Sequence, residues 1–594
     1  MMTQTLPPPV TPADHRLGQH LKDILGAIHR VPGHLALYAL CLGVVAVIGL
    51  TAVAQVALNA WNEPFYSAVQ SKDLDGFLRQ LVVFAGIAGV LLFLNVAQTS
   101  LNQLIRLKLR ALVTRDLIET WMTRKRAARI GRAGEIGVNP DQRIHADAHH
   151  LAEVSTDLGV GLLQSTVLLF SFIGVLWVLS RSIVLPIGGE AINIPGYLVW
   201  AALLYALSGS WLSWRMGRRL VPLEVRRYGR EADLRVALVR GAAQADGIAL
   251  SSSEPDERRQ LDADLGRVLA ISGRIVLARV PLTFVTVSYG WVAIIAPFVL
   301  AAPGYFGQAL SFGELMMVVG AFIQVQQALR WFVDNTGAIA DWRATLSRVM
   351  DFRAALLDLE KANGGQGRLE RADHPEGKLE LRGLVVTNHH GSIALSEPVL
   401  ALEPGERVLL TSPPGTGKTT LFLAIAGLWE RGTGRISAPP EGETMFLSQR
   451  PFVPAGTLRR ALTCWPSHKP CDDARLAAAL ERAGLGHLAS SLDRVERWDR
   501  DLTASEQERI GYARLLVNRP KWLISDDALA PVDEANREIL LGILATELAE
   551  SAVLNIASSP LPQNFYSRIV RLIVHPLDRN ADLVPTAAEG IRVP

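Results

Sequence analysis

Over roughly its first 350 residues the chain alternates long apolar runs with strongly basic stretches, and beyond that its apolar runs shorten to strand length. A helix needs about 20 largely apolar residues to cross the roughly 30 Å hydrocarbon layer, because lipid offers no partner to an unpaired backbone group. Six segments reach that length. They are residues 33–61, which carry no Asp, Glu, Lys or Arg; the run between Arg79 and Arg106; residues 158–180; the run between Glu190 and Arg215; and two spans in the uncharged run from Arg279 to Glu314 and beyond. Pro303-Gly304 is the predicted turn between the last two, and the sixth is expected to end near Val333.

Charge orients these spans. Residues 106–150 hold ten Lys or Arg and residues 215–279 hold thirteen, whereas the other loops hold only Lys72, Arg79 and Arg181. Positive loops stay cytoplasmic, so both termini and both basic loops are expected inside. The basic loops are rich in helix formers, which predicts helices running on past the membrane. A net charge of +3 gives no ground for a nucleic-acid partner. Cys41, Cys464 and Cys471 form no CxxC pair or zinc-like spacing and are expected as reduced thiols. The start, MMTQTLPPPVTPADHR, lacks an apolar stretch after a basic head and is expected to be a cytoplasmic tail.

After Arg353 the composition turns polar and Gly-rich (NGGQGRLERADHPEG, 363–377). The expected layout is a tail at 1–30, a six-helix α-helical membrane domain at 31–355, a linker at 356–377 and an α/β nucleotide-binding domain at 378–594. An apolar strand at 407–411 enters SPPGTGKTTLFLAIAGL, the strand, loop and helix order that phosphate binding requires. Pro414, Gly415, Thr416, Gly417, Lys418, Thr419 and Thr420 are the candidate nucleotide contacts: backbone N–H groups cradle the phosphates, Lys418 reaches the β and γ phosphates, and Thr419 ligates Mg²⁺. Ser412 stands where the pattern has glycine. A second strand, KWLISDD (521–527), ends in two acids, Asp526 for Mg²⁺ and Asp527 at the place of a catalytic carboxylate.

With FLSQRPFVPAGTL, which supplies Gln449, and DLTASEQERIGYARLLVNRP upstream of the second strand, residues 378–575 resemble an ATP-binding cassette. NAWNEPFYSAVQ (59–70), NPDQRI (139–144) and LRWFVDNTGAIADWRATLSRV (329–349) look like the branch containing BacA/SbmA-type peptide and cobalamin transporters, with peroxisomal subfamily D transporters as more distant relatives. The resemblance implies an exporter-type fold, ATP and Mg²⁺ as cofactors, Gln449 at the metal and the attacking water, and two chains per transporter in the inner membrane. Against the family's LSxGEQ signature the chain reads LTASEQ: Thr503 keeps a hydroxyl, and Ser505 replaces a glycine, so a Cβ is expected to weaken cross-dimer ATP contact. Asp527 replaces a glutamate, Ser558 stands at the switch histidine, and APVD keeps only Asp533 of the D-loop. His389 and His390 lie near the distance expected of an adenine-stacking residue, or sit on an exposed turn.

These features favour an ATP-dependent transporter of a peptide-like or vitamin B12-like solute, a homodimer with slow hydrolysis. Two alternatives stand beside it: ATP-regulated or proton-coupled transport, with Glu63, Glu314 and Asp334 as candidate proton-responsive groups, and the degenerate half of a heterodimer with a second half-transporter. Asn95, Gln98, Asn102, Gln324, Gln326 and Gln327 line a cargo cavity or bond between helices. The sequence leaves the solute and the direction of transport open.

Overall fold

The computed structural model describes residues 32–576 except 124, 132–138, 182, 184, 188–189, 193, 362–366, 389–390, 414, 449–450, 465–470, 528–533 and 558–564, with scattered positions between 18 and 29. It divides into two units, Met1–Trp121 with Val138–Ala354, and Met122–Gly137 with Ala355–Pro594.

The first unit is helical apart from a hairpin of β1 (Leu185–Ile187) and β2 (Glu190–Ile192). Its helices are α1 (His34–Ser71), α2 (Leu74–Met122), whose last residue falls in the second unit, α4 (Ala148–Ser180), α5 (Tyr197–Gly217), α6 (Leu220–Ala243), α7 (Ala245–Leu250), α8 (Glu254–Phe306), α9 (Phe312–Asp334) and most of α10 (Thr336–Lys361). A five-residue helix in the second unit, Arg126–Ile130, is α3. Among the described residues five helical segments, not six, are long and apolar enough to span a membrane. The missing one is α5, at the predicted fourth span: it has the length, with 21 residues, but Trp200, Trp211, Trp214, Tyr197, Tyr205 and three serines dilute its apolar character. Leu42, Phe93 and Phe284 are more than 70% exposed, as side chains facing lipid would be.

The predicted turn at Pro303-Gly304 is displaced. α8 continues through both residues, and their carbonyls accept from Gly307 and from Ala309 and Leu310, so they form the helix end and the turn follows it. Ser311 then starts α9 with a reciprocal capping box to Glu314. α9 approaches α1 through glycines: a Cβ on Gly313 would lie 2.4 Å from the Glu63 carbonyl oxygen and one on Gly320 2.3 Å from Asn59 Oδ1, while Asn59 donates to the Met317 carbonyl. α2 and α8 run to 49 and 53 residues, carrying helix through much of the basic loops as predicted.

The second unit is built on a ten-stranded sheet of order β3-β8-β4-β5-β14-β7-β13-β12-β9, with β6 pairing β4. Its strands are β3 (Glu370–Asp373), β4 (Leu379–Asn388), β5 (Gly391–Leu395), β6 (Val399–Leu402), β7 (Arg407–Thr411), β8 (Gly432–Ala438), β9 (Thr444–Ser448), β12 (Trp522–Asp526), β13 (Ala552–Ala557) and β14 (Arg568–Pro576); β10 (Gly456–Thr457) and β11 (Val495–Glu496) form a small separate pair. β14, β7, β13, β12 and β9 are parallel neighbours, and every residue of β12 and β13 is buried, as in a sheet covered on both faces. Around the sheet lie α11 (Lys418–Ile425), α12 (Leu458–Thr463), α13 (Asp473–Arg482), α14 (Ala504–Asn518) and α15 (Glu534–Ala545). The expected linker at 356–377 is shorter than predicted: α10 runs to Lys361, and β3 pairs in parallel with β8. All four residues of β3 are exposed, so this edge strand carries no apolar signal.

Candidate functional site

Open α/β sheets bind ligands beyond the carboxyl ends of their parallel strands, where β7 and β12 deliver the two predicted motifs. β7 ends at Thr411 and the loop turns into α11 through Gly415 (φ 79°) and Gly417 (φ 94°), both left-handed. A Cβ on Gly417 would lie 2.6 Å from Asn388 Nδ2 and from Ile393 Cδ1, so only glycine fits this step. Ser412, in place of a glycine, closes the loop: its hydroxyl lies 2.5 Å from that of Thr416, which also donates to the Pro413 carbonyl at 2.8 Å. Gly417 is the N-cap of α11 and gives it no side-chain cap, leaving the first N–H groups facing the loop.

Lys418 is 7% exposed, and its Nζ stands 3.9 Å from Asp527 Oδ2. Thr419 donates to Asp526, which joins the two predicted magnesium ligands. Burial pushes the Asp526 carboxyl above the usual aspartate range against the opposing pull of Thr419. Asp527 follows with left-handed backbone (φ 47°), its N–H donating to Ile556 on β13. The cradle that excludes a Cβ, the buried lysine and the hydroxyl–carboxylate pair all fit a magnesium nucleotide. Pro414, Gln449, Ser558, Asp533, His389 and His390 lie outside the described residues.

The signature segment starts α14. Thr503 and Glu506 form a capping box: Glu506 N–H donates to the Thr503 hydroxyl at 3.3 Å, and Thr503 N–H to Glu506 Oε2 at 2.9 Å. The Thr503 N–H holds the Glu506 carboxyl below its usual range. Ser505 is tied inside its own domain, its hydroxyl accepting from Asn536 Nδ2 at 2.9 Å. Asn536, fully buried on α15, also donates to Glu508 at 2.9 Å and accepts from Arg509 Nε at 2.6 Å. Sequence reasoning missed Asn536. The available signal was phase: it falls on the helix stripe that continues with Ile539, Leu540 and Ile543, where a polar residue requires buried partners.

In the first unit, Glu314 is committed to its capping box and Asp334 pairs with Arg330 at 3.3 Å, which accounts for two of the three candidate proton-responsive groups as helix-end contacts. Gln98 donates to Gln164 on the neighbouring helix at 2.9 Å, and Gln326 lines a small cleft with Tyr205, Tyr289 and Arg330. Cys41, Cys464 and Cys471 are free thiols.

Residues 29–306 match the family described as ABC transporter transmembrane region 2, and residues 395–530 match the ABC transporter family. The chain is 29% identical to the inner membrane ABC transporter ATP-binding protein YddA of Escherichia coli over 89% of its length and 91% of that protein. It is 23% identical to the mouse lysosomal cobalamin transporter ABCD4 over 86% of its length and 87% of that protein. The structure of a bacterial Atm1-family ABC exporter with ATP bound superposes with a TM-score of 0.65 at 14% identity, covering 88% of this chain and 91% of that one, a likeness of fold alone. These matches overturn the resemblance to the BacA/SbmA branch. The segments at 59–70 and 139–144 lie inside the matched transmembrane region 2, the segment at 329–349 lies outside it, and the full-length relatives include a subfamily D transporter. With residues matching an ABC transporter membrane region and residues matching an ABC transporter cassette in order along one polypeptide, the chain carries the membrane region and the ATP-binding transport ATPase domain of an ABC transporter.

Proposed function

We propose that this chain forms half of a dimeric, six-crossing transporter of the exporter-type fold in the inner membrane, with a cytoplasmic cassette and slow ATP hydrolysis, and that it moves a vitamin B12-like solute. The observation that carries the nucleotide reading is the Thr419–Asp526 pair beside an uncapped helix start. Bound MgATP supplies the transferable γ-phosphoryl group. Backbone N–H groups of residues 415–419 and the Lys418 ammonium balance phosphate charge, and Thr419 and Asp526 hold the metal. Asp527 is one methylene shorter than the glutamate of the cassette pattern, which withdraws its carboxylate by about 1 Å from a water at the γ-phosphate; a displacement of that order costs about 100-fold in rate. A serine at 558 cannot supply the imidazole contact. The cobalamin class draws support from the printed name of the mouse relative, and the peptide class stands as the alternative. Glu314 and Asp334, two of the groups named for proton coupling, take part in helix-end contacts.

The test is ATPase activity of purified protein in lipid. Wild type is expected to be slow but above Lys418→Ala, and Asp527→Glu with Ser558→His is expected to raise the rate at least about tenfold, the lower range for a positioned acid–base group. If the double variant stays at the Lys418→Ala background while MgATP still binds, slow hydrolysis is wrong and ATP regulation or a competent partner chain takes its place. Uptake of labelled cobalamin and of a labelled peptide into proteoliposomes separates the solute classes.

A further inference from the structure

Arg514 is a buried guanidinium with a donor to spare. It lies in the stretch of α14 from Ile510 to Val517, all of it buried, and is itself 7% exposed. Its Nε donates to the Ala461 carbonyl at 2.5 Å, whereas its buried Nη2 has no hydrogen-bond partner among the described residues. A charged donor buried without a partner is costly, and an arginine kept in that state points to an acceptor that arrives later. The same carbonyl holds a second donor. Ala461 lies in the last turn of α12, and Cys464, the residue that closes that helix, directs its thiol at the Ala461 oxygen at 3.7 Å. Two donors on one oxygen are neighbours, so the thiol and the guanidinium meet at the end of α12.

Cys464 is exposed, so a small reagent reaches its sulfur from solvent. Burial lowers the Arg514 guanidinium from its ordinary value, and Cys464 opposes that shift. Cys471 makes the contrast: it packs partly buried against the apolar core, and burial pushes its thiol up. We propose that Cys464 is an oxidation site for hydroperoxides, and that Arg514 Nη2 donates to the oxygen that the sulfur takes up. The Cys464 sulfur, as thiolate, attacks one peroxide oxygen. The S–O bond forms as the O–O bond breaks, the sulfur gives up two electrons, and the other oxygen leaves as hydroxide and takes the proton that the thiol released, giving water. The resulting sulfenic acid carries an oxygen that the thiol lacked, an acceptor for the unused Nη2. One new hydrogen bond then joins the end of α12 to α14, the helix that starts with the signature segment.

The test is sulfenic-acid trapping on the full-length protein in lipid nanodiscs, with hydrogen peroxide as oxidant, a 1,3-dione as probe and mass spectrometry to read each cysteine. Wild type, Arg514→Gln and Arg514→Lys are compared with one another and with wild type unfolded in guanidinium chloride and detergent. Native Cys464 is expected to be trapped at least about tenfold faster than the same residue in the unfolded chain, the rate change that one hydrogen bond from a charged donor supplies. Arg514→Gln is expected to remove that gain, and Arg514→Lys, which keeps a charged donor, to retain it. Cys471 is expected to stay slow in all the folded proteins, which a general loosening of the domain would not leave unchanged. If native Cys464 is trapped no faster than in the unfolded chain, or if Arg514→Gln is trapped as fast as wild type, the proposal falls and Arg514 is a tie on the Ala461 carbonyl alone. A Cys464–Cys471 disulfide in place of the trapped acid overturns it as well. Should Arg514→Gln fail to fold, the comparison of native with unfolded wild type decides alone.

Discussion

The cassette presents two helix starts that are capped in different ways. α11 begins at a left-handed glycine with no side-chain cap. α14 begins at Thr503 with a complete capping box, and its second residue, Ser505, is tied to buried Asn536. An open helix start is a ligand site held ready; a closed one is already satisfied by its own side chains. The Ser505 hydroxyl is engaged within its own domain, where it contributes to holding the start of α14 on α15.

Closing the open start is expected to have the largest effect. Gly417→Ala places a Cβ on Asn388 and Ile393 at a backbone angle that costs about 1–2 kcal/mol for a residue with a side chain, so MgATP affinity measured by calorimetry is expected to fall at least about tenfold. An alanine variant that binds as wild type does would show that the loop tolerates another path.

Opening the closed start comes next. Asn536→Ala leaves Ser505, Glu508 and Arg509 without their shared buried partner, and such orphaned groups cost about 1–3 kcal/mol. The cassette transition in a thermal melt is expected to drop by several degrees while MgATP binding at α11 is retained. Loss of binding with an unchanged melt would reverse the contrast between the two starts.

The smallest effect concerns pH. Thr503 holds Glu506 below its ordinary value, so the capping box contributes fully above the unfolded glutamate pKa near about 4.3 and its contribution disappears as pH falls through the lower folded value. Glu506→Gln is expected to flatten the melting temperature against pH in that acidic window and to leave neutral pH almost unchanged. A parallel shift at all pH values would place the effect outside the titration of Glu506.

What the chain alone determined was whatever depends on local periodicity: apolar runs long enough for a membrane, the basic loops between them, the strand–glycine loop–helix of residues 407–425 and the acids closing the strand at Asp526. Where the pattern was ambiguous the tertiary structure decided. Pro303 and Gly304 read as a turn, but the helix continues through both, and Gly304 sits where a Cβ would crowd Leu310 and Ile183. β3 read as linker because an exposed edge strand needs no apolar face. The partners of Ser505, and the meeting of Lys125 and Arg129 with the far end of α11, join residues tens to hundreds of positions apart. No local pattern encodes such pairs, because a buried hydroxyl or a helix carbonyl accepts a donor from wherever the fold brings one.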